Sequence, residues 1–390
     1  MLCQACLKSL VSDAMRRYLA LLIAAVFLAA GPAAAVEQPA YIVIDANNGS
    51  VLLHSRSDEP WFPASVTKLM TAYLTFQALR SGRLTLTSAV TISQNALNQP
   101  PSKMGFKVGT VLNVDNALKM MLVKSANDIA VAIAEAVGGS EPKFLGLMNA
   151  EAARLGMAST HFNNPHGLPN DGQVTTARDL ALLGRAVWLD FPEYREYFRI
   201  PAIKVGKRIL RSPNKLLEQY RGANGMKTGF ICSSGFNVVA SADRNGRTLI
   251  AVVLGATSSD QRTEAAARLL NQGFGMWSGP TKPQLAAFRS GPARGAPVNM
   301  REAVCGKKVQ QEDDAVDPVL AKLGSASGLV PRFVLMDPVP VYTGRADPGP
   351  GDVGGPPPRN MPMPRLRPRT PDETAALPDG SAPVLLVNPN

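Results

Sequence analysis

The segment 114–137 constrains the fold of this chain more than any other. It holds two apolar runs at helical spacing, 117–123 and 128–137, separated by a short polar break at Ser125, Ala126 and Asn127. Helices that are apolar nearly all round have no face to give to water, so they belong at the centre of a domain. Gly138 and Gly139 stop the second run.

The flanks of this block differ in period. Upstream, residues 41–45 and 51–55 are rich in strand formers and are separated by the turn residues Asn47, Asn48, Gly49 and Ser50, which predicts a β-hairpin. A helix is predicted to start near Pro63, carried by Leu69, Met70, Tyr73, Leu74 and Leu79 and stopped by Ser81 and Gly82. Downstream, helices are predicted over 141–155 and 176–187, the second capped by Thr176, around a turn-rich loop at 163–172. After Lys227 the pattern changes to strands at 236–241 and 248–254 joined by Asn245 and Gly246, then a last helix at 263–270. Strands at both ends and helices in the middle argue an α+β sandwich, with an antiparallel sheet and a central helical cluster. Residues 36–280 are enough to bury a large core.

The 33 glycines and 32 prolines of this 390-residue chain are not spread evenly. Residues 281–390 hold much of the proline and are predicted to be a Pro/Gly-rich, largely disordered C-terminal extension. Within it, 332–336 and 339–342 are short strand-like pieces, and no apolar stripe is sustained at helical spacing. The net charge of +11 favours polyanions or anionic surfaces at long range. There is no Lys/Arg block suited to a polyanion groove, so no nucleic-acid partner is expected. The arginines of 359–369 are interspersed with proline and read as a soluble tail, and the sequence leaves membrane contact open.

At the other end, Arg16 and Arg17 precede the apolar run 18–30, and Ala33, Ala34 and Ala35 follow it. A charged region, a short apolar region and an Ala-x-Ala site make a secretory signal peptide, with cleavage predicted after Ala35. The run is shorter than the roughly 20 residues of a membrane span. Residues 1–14 fit no signal pattern, which makes Met15 an alternative start. The expected location is periplasmic, with a peripheral position at the inner membrane as the alternative. Cys3 and Cys6 precede the signal peptide, so the mature chain holds only Cys232 and Cys305. An exported compartment permits a disulfide between them. Two cysteines and three histidines argue against a zinc site, and no metal or other cofactor is expected.

Three short motifs carry the chemistry. Ser65 and Lys68 form S-x-x-K at a predicted helix start, and positions i and i+3 share a helix face. Serine needs a nearby base to become a nucleophile. A lysine amine can serve if it is neutral, which at pH 7 requires about 4 kcal/mol of differential interaction from burial and a second cation. Ser125 and Asn127 form S-x-N in the break between the apolar helices, where a proton relay and an amide-binding group could face a cleft. Lys227, Thr228 and Gly229 form K-T-G before a strand, with donors for a carboxylate and a glycine that permits close backbone approach. Each motif alone is weak. Ser212 and Lys215 also match the first, and Ser93 and Asn95 the second. The order S-x-x-K, S-x-N, K-T-G, each in a fitting context, is a penicillin-recognising signature.

At these residues the chain resembles the D-alanyl-D-alanine carboxypeptidases of the low-molecular-mass penicillin-binding proteins, serine peptidase family S11. The likeness extends to 40–49, 63–71, 124–128, 164–168, 176–179, 225–230 and 234–241. It implies a β-lactamase/DD-peptidase-like domain. The implied activity removes the terminal D-alanine from peptidoglycan stem peptides ending in D-Ala-D-Ala, through an acyl-enzyme that β-lactam antibiotics also form. Residue by residue, the resemblance implies Ser65 as nucleophile, Lys68 as its base, and Ser125 with Lys227 handling the leaving-group proton. Asn127 would bind the substrate amide, the N–H groups of Ser65 and Phe230 would form the oxyanion hole, and Thr228 and Arg262 would hold the terminal carboxylate beside Gly229. Pro213 departs from the family, which often has an arginine there. The alternatives are a DD-endopeptidase using the same residues and an inactive wall-binding protein. A class A β-lactamase needs a deacylating glutamate, and 163–172 offers none.

Overall fold

Strand β1 (Ala40–Asp45) ends in an aspartate whose Oδ1 accepts from Asn47 N at 3.0 Å, which turns the chain into β2 (Val51–Ser55). This computed structural model describes residues 39–291, 295–306 and 327–344. The predicted signal peptide lies outside the described residues. A 3-10 turn (Ala64–Thr67) leads into helix α1 (Lys68–Arg80). Next come β3 (Ala89–Thr91), α2 (Gln94–Leu97) and β4 (Val111–Asn113). The central helices follow as α3 (Val114–Val123) and α4 (Asn127–Gly138), then α5 (Glu141–Arg154) and α6 (Ala177–Asp190). A second 3-10 stretch (Pro192–Arg199) precedes β5 (Ala202–Val205), β6 (Arg208–Arg211) and α7 (Leu216–Gln219). The chain then lays down β7 (Ala223–Ile231), β8 (Gly235–Arg244), β9 (Arg247–Ala256) and α8 (Ser259–Phe274). Short α9 (Arg301–Cys305) and β10 (Val339–Val341) complete the described chain.

The main sheet has five strands in the order β2-β1-β9-β8-β7, and every neighbouring pair is antiparallel. The β8–β9 turn places Asn245 and Gly246 at φ 51° and 74°, the left-handed pair that matches the twist of a two-residue hairpin. The alternation of strand side chains sends two sets of apolar residues to opposite faces. Ile250, Val252, Leu254 and Val239 join the core built on α1, α3, α4 and α6. Leu249, Ala251, Val253, Val238 and Ala240 pack instead under α8. The sheet is therefore covered on both faces, which makes three layers. In α4, Ile129 through Ala134 are all buried, as the apolar run demands.

One expectation meets a different outcome. The helix predicted from Pro63 opens as the 3-10 turn, because Ala64 takes φ 50° and a regular α-turn cannot begin there. The described parts of 281–390 pack against the domain. Leu285, Met300, Met336, Val339 and Val341 are buried, and β10 pairs in parallel with β5. Buried Arg178 gathers this segment by donating to the carbonyls of Leu285, Ala286 and Phe288. Residues 307–326 and 345–390, where disorder is predicted, lie outside the described residues. Among the described residues, no helix is long and apolar enough to cross a membrane.

Candidate active site

Ser65 sits on the 3-10 turn and Lys68 at the first position of α1, with Lys68 Nζ 2.9 Å from Ser65 Oγ. The amine has no exposed surface. It also donates to Asn127 Oδ1 at 2.8 Å and to the carbonyl of His166 at 2.7 Å. The Asn127 amide is oriented by its Nδ2, which donates to the carbonyl of Pro100 at 2.9 Å. A neutral amine has two N–H donors and one lone pair. Two of its three neighbours are acceptors only, and the third is a hydroxyl able to donate. The contacts therefore match a neutral Lys68 that receives the Ser65 proton. Burial, reinforced by the charge of Lys227 and only partly opposed by Asp128, holds this amine well below the usual lysine range. His166 is pushed down to about 3 by burial and then by Lys68, so its ring is neutral. Its Nδ1 accepts from Leu168 N at 3.2 Å, and its contribution here is the backbone carbonyl.

The break between α3 and α4 supplies the second wall. Ser125 takes φ 63°, and its buried Oγ has no hydrogen-bond partner among the described residues. Asn127 opens α4 and donates its own N–H to Ser102 O at 2.7 Å. Beside it, the Asp128 carboxylate accepts from Met104 N and Gly105 N, which holds the 100–105 loop against the break.

Edge strand β7 forms the third wall. A Cβ on Gly229 would lie 2.9 Å from Ser65 N and 3.0 Å from Pro63 O, so only glycine lets the strand press against the Ser65 turn. Lys227 is buried on the same face as Gly229 and donates to Thr228 O at 2.8 Å. Burial and the charge of Arg262 push Lys227 down to about 7. Thr228 pairs with Val238 of the core under α8, so Thr228 and Phe230 face the α8 side. Arg262 lies there too, with its guanidinium 5.9 Å from the ring of Phe236, on which Phe230 stacks at 4.2 Å. Arg262 is pushed down to about 10 by burial and is held by the Pro213 carbonyl at 2.8 Å and Ser259 Oγ at 3.1 Å. Arg211 does not replace the missing family arginine. It is half-exposed and pairs with Glu218 at 3.6 Å.

Lys68 is thus in direct contact with both Ser65 and Asn127, Ser125 lies two residues before Asn127 at the helix break, and Gly229 abuts Ser65. Thr228, Phe230 and Arg262 share one side of the sheet. The second matches to the motifs fall elsewhere: Lys215 is an exposed partner of Asp260, and Ser93 caps α2 by accepting from Ala96 N at 3.0 Å.

Sequence reasoning missed Asn237. It is fully buried in β8 opposite Gly229. Its Nδ2 donates to Phe62 O at 3.0 Å and Pro63 O at 3.1 Å, and its Oδ1 accepts from Gly255 N at 3.0 Å. It locks the strand pair to the segment that delivers Ser65. The available signal was a lone amide within the apolar run 236–240 of β8. Gln173 was missed as well. Its Oε1 accepts from Asn163 N and Asn164 N, while its Nε2 donates to Thr67 Oγ1 at 3.2 Å. Asn237→Ala is expected to lower stability by about 2 kcal/mol, because buried carbonyls and an N–H lose their partner. An unchanged urea midpoint would show that Asn237 does not lock these strands.

Comparison with known proteins agrees with this arrangement. A sequence profile of the D-alanyl-D-alanine carboxypeptidase family, peptidase S11, matches residues 27–258. The chain belongs to the S11 peptidase family. The S11 match contains every motif residue, while Arg262 lies just beyond it. The chain is 38% identical over 251 residues to the D-alanyl-D-alanine carboxypeptidase DacC of Escherichia coli K12, covering 62% of each chain. It thus spans less than two-thirds of that curated relative. Among solved S11-like structures, the carboxypeptidase DacD of Francisella tularensis superposes with a TM-score of 0.59 at 31% identity, covering 61% of this chain and 70% of that one. Penicillin-Binding Protein D2 of Listeria monocytogenes, in its cefotaxime-bound form, superposes with a TM-score of 0.56 at 30% identity, covering 63% of this chain and 100% of that one.

Proposed function

We propose that this S11 chain is a serine-type D-Ala-D-Ala carboxypeptidase that releases the terminal D-alanine from peptidoglycan stem pentapeptides and is acylated by β-lactams. The observation that carries the reading is the buried Lys68 amine, bonded to two obligate acceptors and to Ser65 Oγ. In acylation, Lys68 takes the Ser65 proton as Oγ attacks the penultimate D-alanine carbonyl. The oxygen that becomes negative is met by the N–H groups of Ser65 and Phe230; losing one such donor typically costs about 2.7–4 kcal/mol. Ser125 and Lys227 pass a proton to the departing amine of D-alanine as the C–N bond breaks. Water then hydrolyses the ester, returning the acid product and a free Ser65. Thr228 and Arg262 bind the terminal carboxylate from the α8 side, and Asn127 binds the substrate amide. The names of the relatives and the cefotaxime-bound neighbour support this substrate class.

Export to the periplasm, with cleavage after Ala35, belongs to the same reading. A disulfide joins Cys232 to Cys305, as an oxidising compartment permits.

The test is the intact mass of the protein after incubation with benzylpenicillin, followed by peptide mapping and a D-alanine release assay on a pentapeptide. An adduct on Ser65 with D-alanine release is the expected result. An adduct without release from the pentapeptide, but with cleavage of cross-linked dimers, would replace carboxypeptidase by endopeptidase. Hydrolysed penicillin with no adduct would point to a β-lactamase.

A further inference from the structure

Two backbone segments carry the proposed oxyanion donors, the 3-10 turn at Ser65 and the end of β7 at Phe230. A third segment, 298–305, touches the approaches to both. Val298 N donates to Pro60 O at 3.1 Å, and Val298 bridges in parallel to Trp61, on the strand-like lead into Ser65. Met300 N donates to Ser233 O at 3.0 Å, in the turn that directly follows β7. Trp61 closes the triangle, since its Nε1 donates to Ser234 O at 2.9 Å. The segment is covalently fixed by the Cys232–Cys305 disulfide, which spans 5.7 Å between Cα atoms and joins the β7–β8 turn to α9.

Little else holds that end of the segment. Met300 is buried, but Arg301, Glu302 and Ala303 are exposed, and Val304 and Cys305 are only half-buried. Such a short, wet helix has no stability of its own. The disulfide closes a long loop, its cysteines being 73 positions apart in sequence, and so restricts where 298–305 can go.

We propose that residues 298–305 are a redox-sensitive brace that positions the oxyanion donors of Ser65 and Phe230, and that the Cys232–Cys305 disulfide locks it. This rests on the serine acylation reading above. A dithiol reductant breaks the S–S bond: both cysteines become thiols, the reductant's two thiols become a disulfide, and two electrons with two protons pass to the protein. The freed brace lets the β7–β8 turn shift relative to the Pro60–Trp61 lead. Donors that stabilise only the developing oxyanion then act less well, while initial capture of the ligand is unaffected.

The experiment is stopped-flow acylation of the full chain by a fluorescent penicillin, resolved into the capture constant K and the acylation rate constant k2. It compares oxidised protein, protein reduced with dithiothreitol, and Cys305→Ser, all well below their melting temperatures. The Cys232→Ser/Cys305→Ser double variant, with and without reductant, controls for other thiols. Because k2 is read from folded molecules alone, a loss of stability does not move it. Reduction and Cys305→Ser are each expected to lower k2 about 10-fold with K unchanged, and reoxidation of the wild-type chain restores it. A Ser65 adduct that forms equally fast before and after reduction overturns the brace and leaves the enzyme reading standing. An adduct that fails to form in either state overturns the enzyme reading, and the brace with it.

Discussion

Lys68→Met is expected to slow acylation of Ser65 by about 1,000-fold. The substitution keeps an unbranched apolar stem one atom shorter and removes the group placed to accept the Ser65 proton, and a positioned base contributes roughly 10²–10⁴ in rate. Among the described residues, no other base hydrogen-bonds Ser65 Oγ, whose partner there is Lys68 Nζ. The neighbouring imidazole of His166 cannot substitute, because its Nδ1 is taken up by Leu168 N and its carbonyl is what faces the site. The measurement is the time course of adduct formation by intact mass. Acylation of the variant within tenfold of the parent would remove Lys68 from the base role. The wild-type pH profile provides a second reading. With its amine held well below the usual lysine range by burial and then Lys227, Lys68 sheds its proton at a lower pH than an ordinary lysine, and acylation falls away on the acid side as it gains one.

Lys227→Met is expected to stabilise the fold while weakening capture of the substrate carboxylate. The native amine is buried and pushed down to about 7 from 10.5, by burial and then by Arg262. At pH 7 the unfolded chain therefore binds more protons at this position than the folded one, so folding carries a penalty. The penalty is fully present below pH 7 and is relieved as pH rises from 7 towards 10.5. Methionine removes it. The loss of one hydrogen bond to Thr228 O opposes the gain only in part. A net increase on the order of 3 kcal/mol at pH 7 follows, with the difference from wild type shrinking as the pH approaches 10. Urea melts at pH 7 and pH 10 measure both. A variant less stable than wild type at pH 7 would mean that the buried cation is better compensated than burial and Arg262 imply.

The three motifs were readable because each lies within a few residues of sequence and each sits at a change of period. Ser65 and Lys68 share a turn, the Ser125–Asn127 break interrupts two apolar runs, and Lys227 begins the motif on a strand that ends at a hairpin. The Thr176 cap and the Asn245–Gly246 turn were equally local, and the structure places both as expected: Thr176 Oγ1 accepts from Asp179 N at 3.1 Å. What sequence left dark was contact at a distance. Asn237 reaches carbonyls on 62 and 63, and Gln173 reaches Thr67. Neither bond has a local pattern, because the partner is backbone or a hydroxyl brought near only by the finished sheet. The packed pieces of 281–344 were hidden for a related reason. Prolines and glycines excluded regular elements, but a strap needs only an occasional Leu285, Met300 or Val339 to hold on.

The sheet order has a consequence for how such a chain is made. Strand β1 is interior, with β2 on one side and β9 on the other, and it pairs with β9 from Ala40↔Leu254 to Asp45↔Leu249. A ribosome delivers β1 first and β9 about 200 residues later, a delay on the order of ten seconds or more. For that interval the first hairpin shows an open, apolar edge, which is the geometry most prone to wrong pairing. The five-stranded sheet therefore cannot be completed until residue 256 is present. Any step that shields residues 40–55 from neighbours until then will govern how much of the newly made protein reaches its native state.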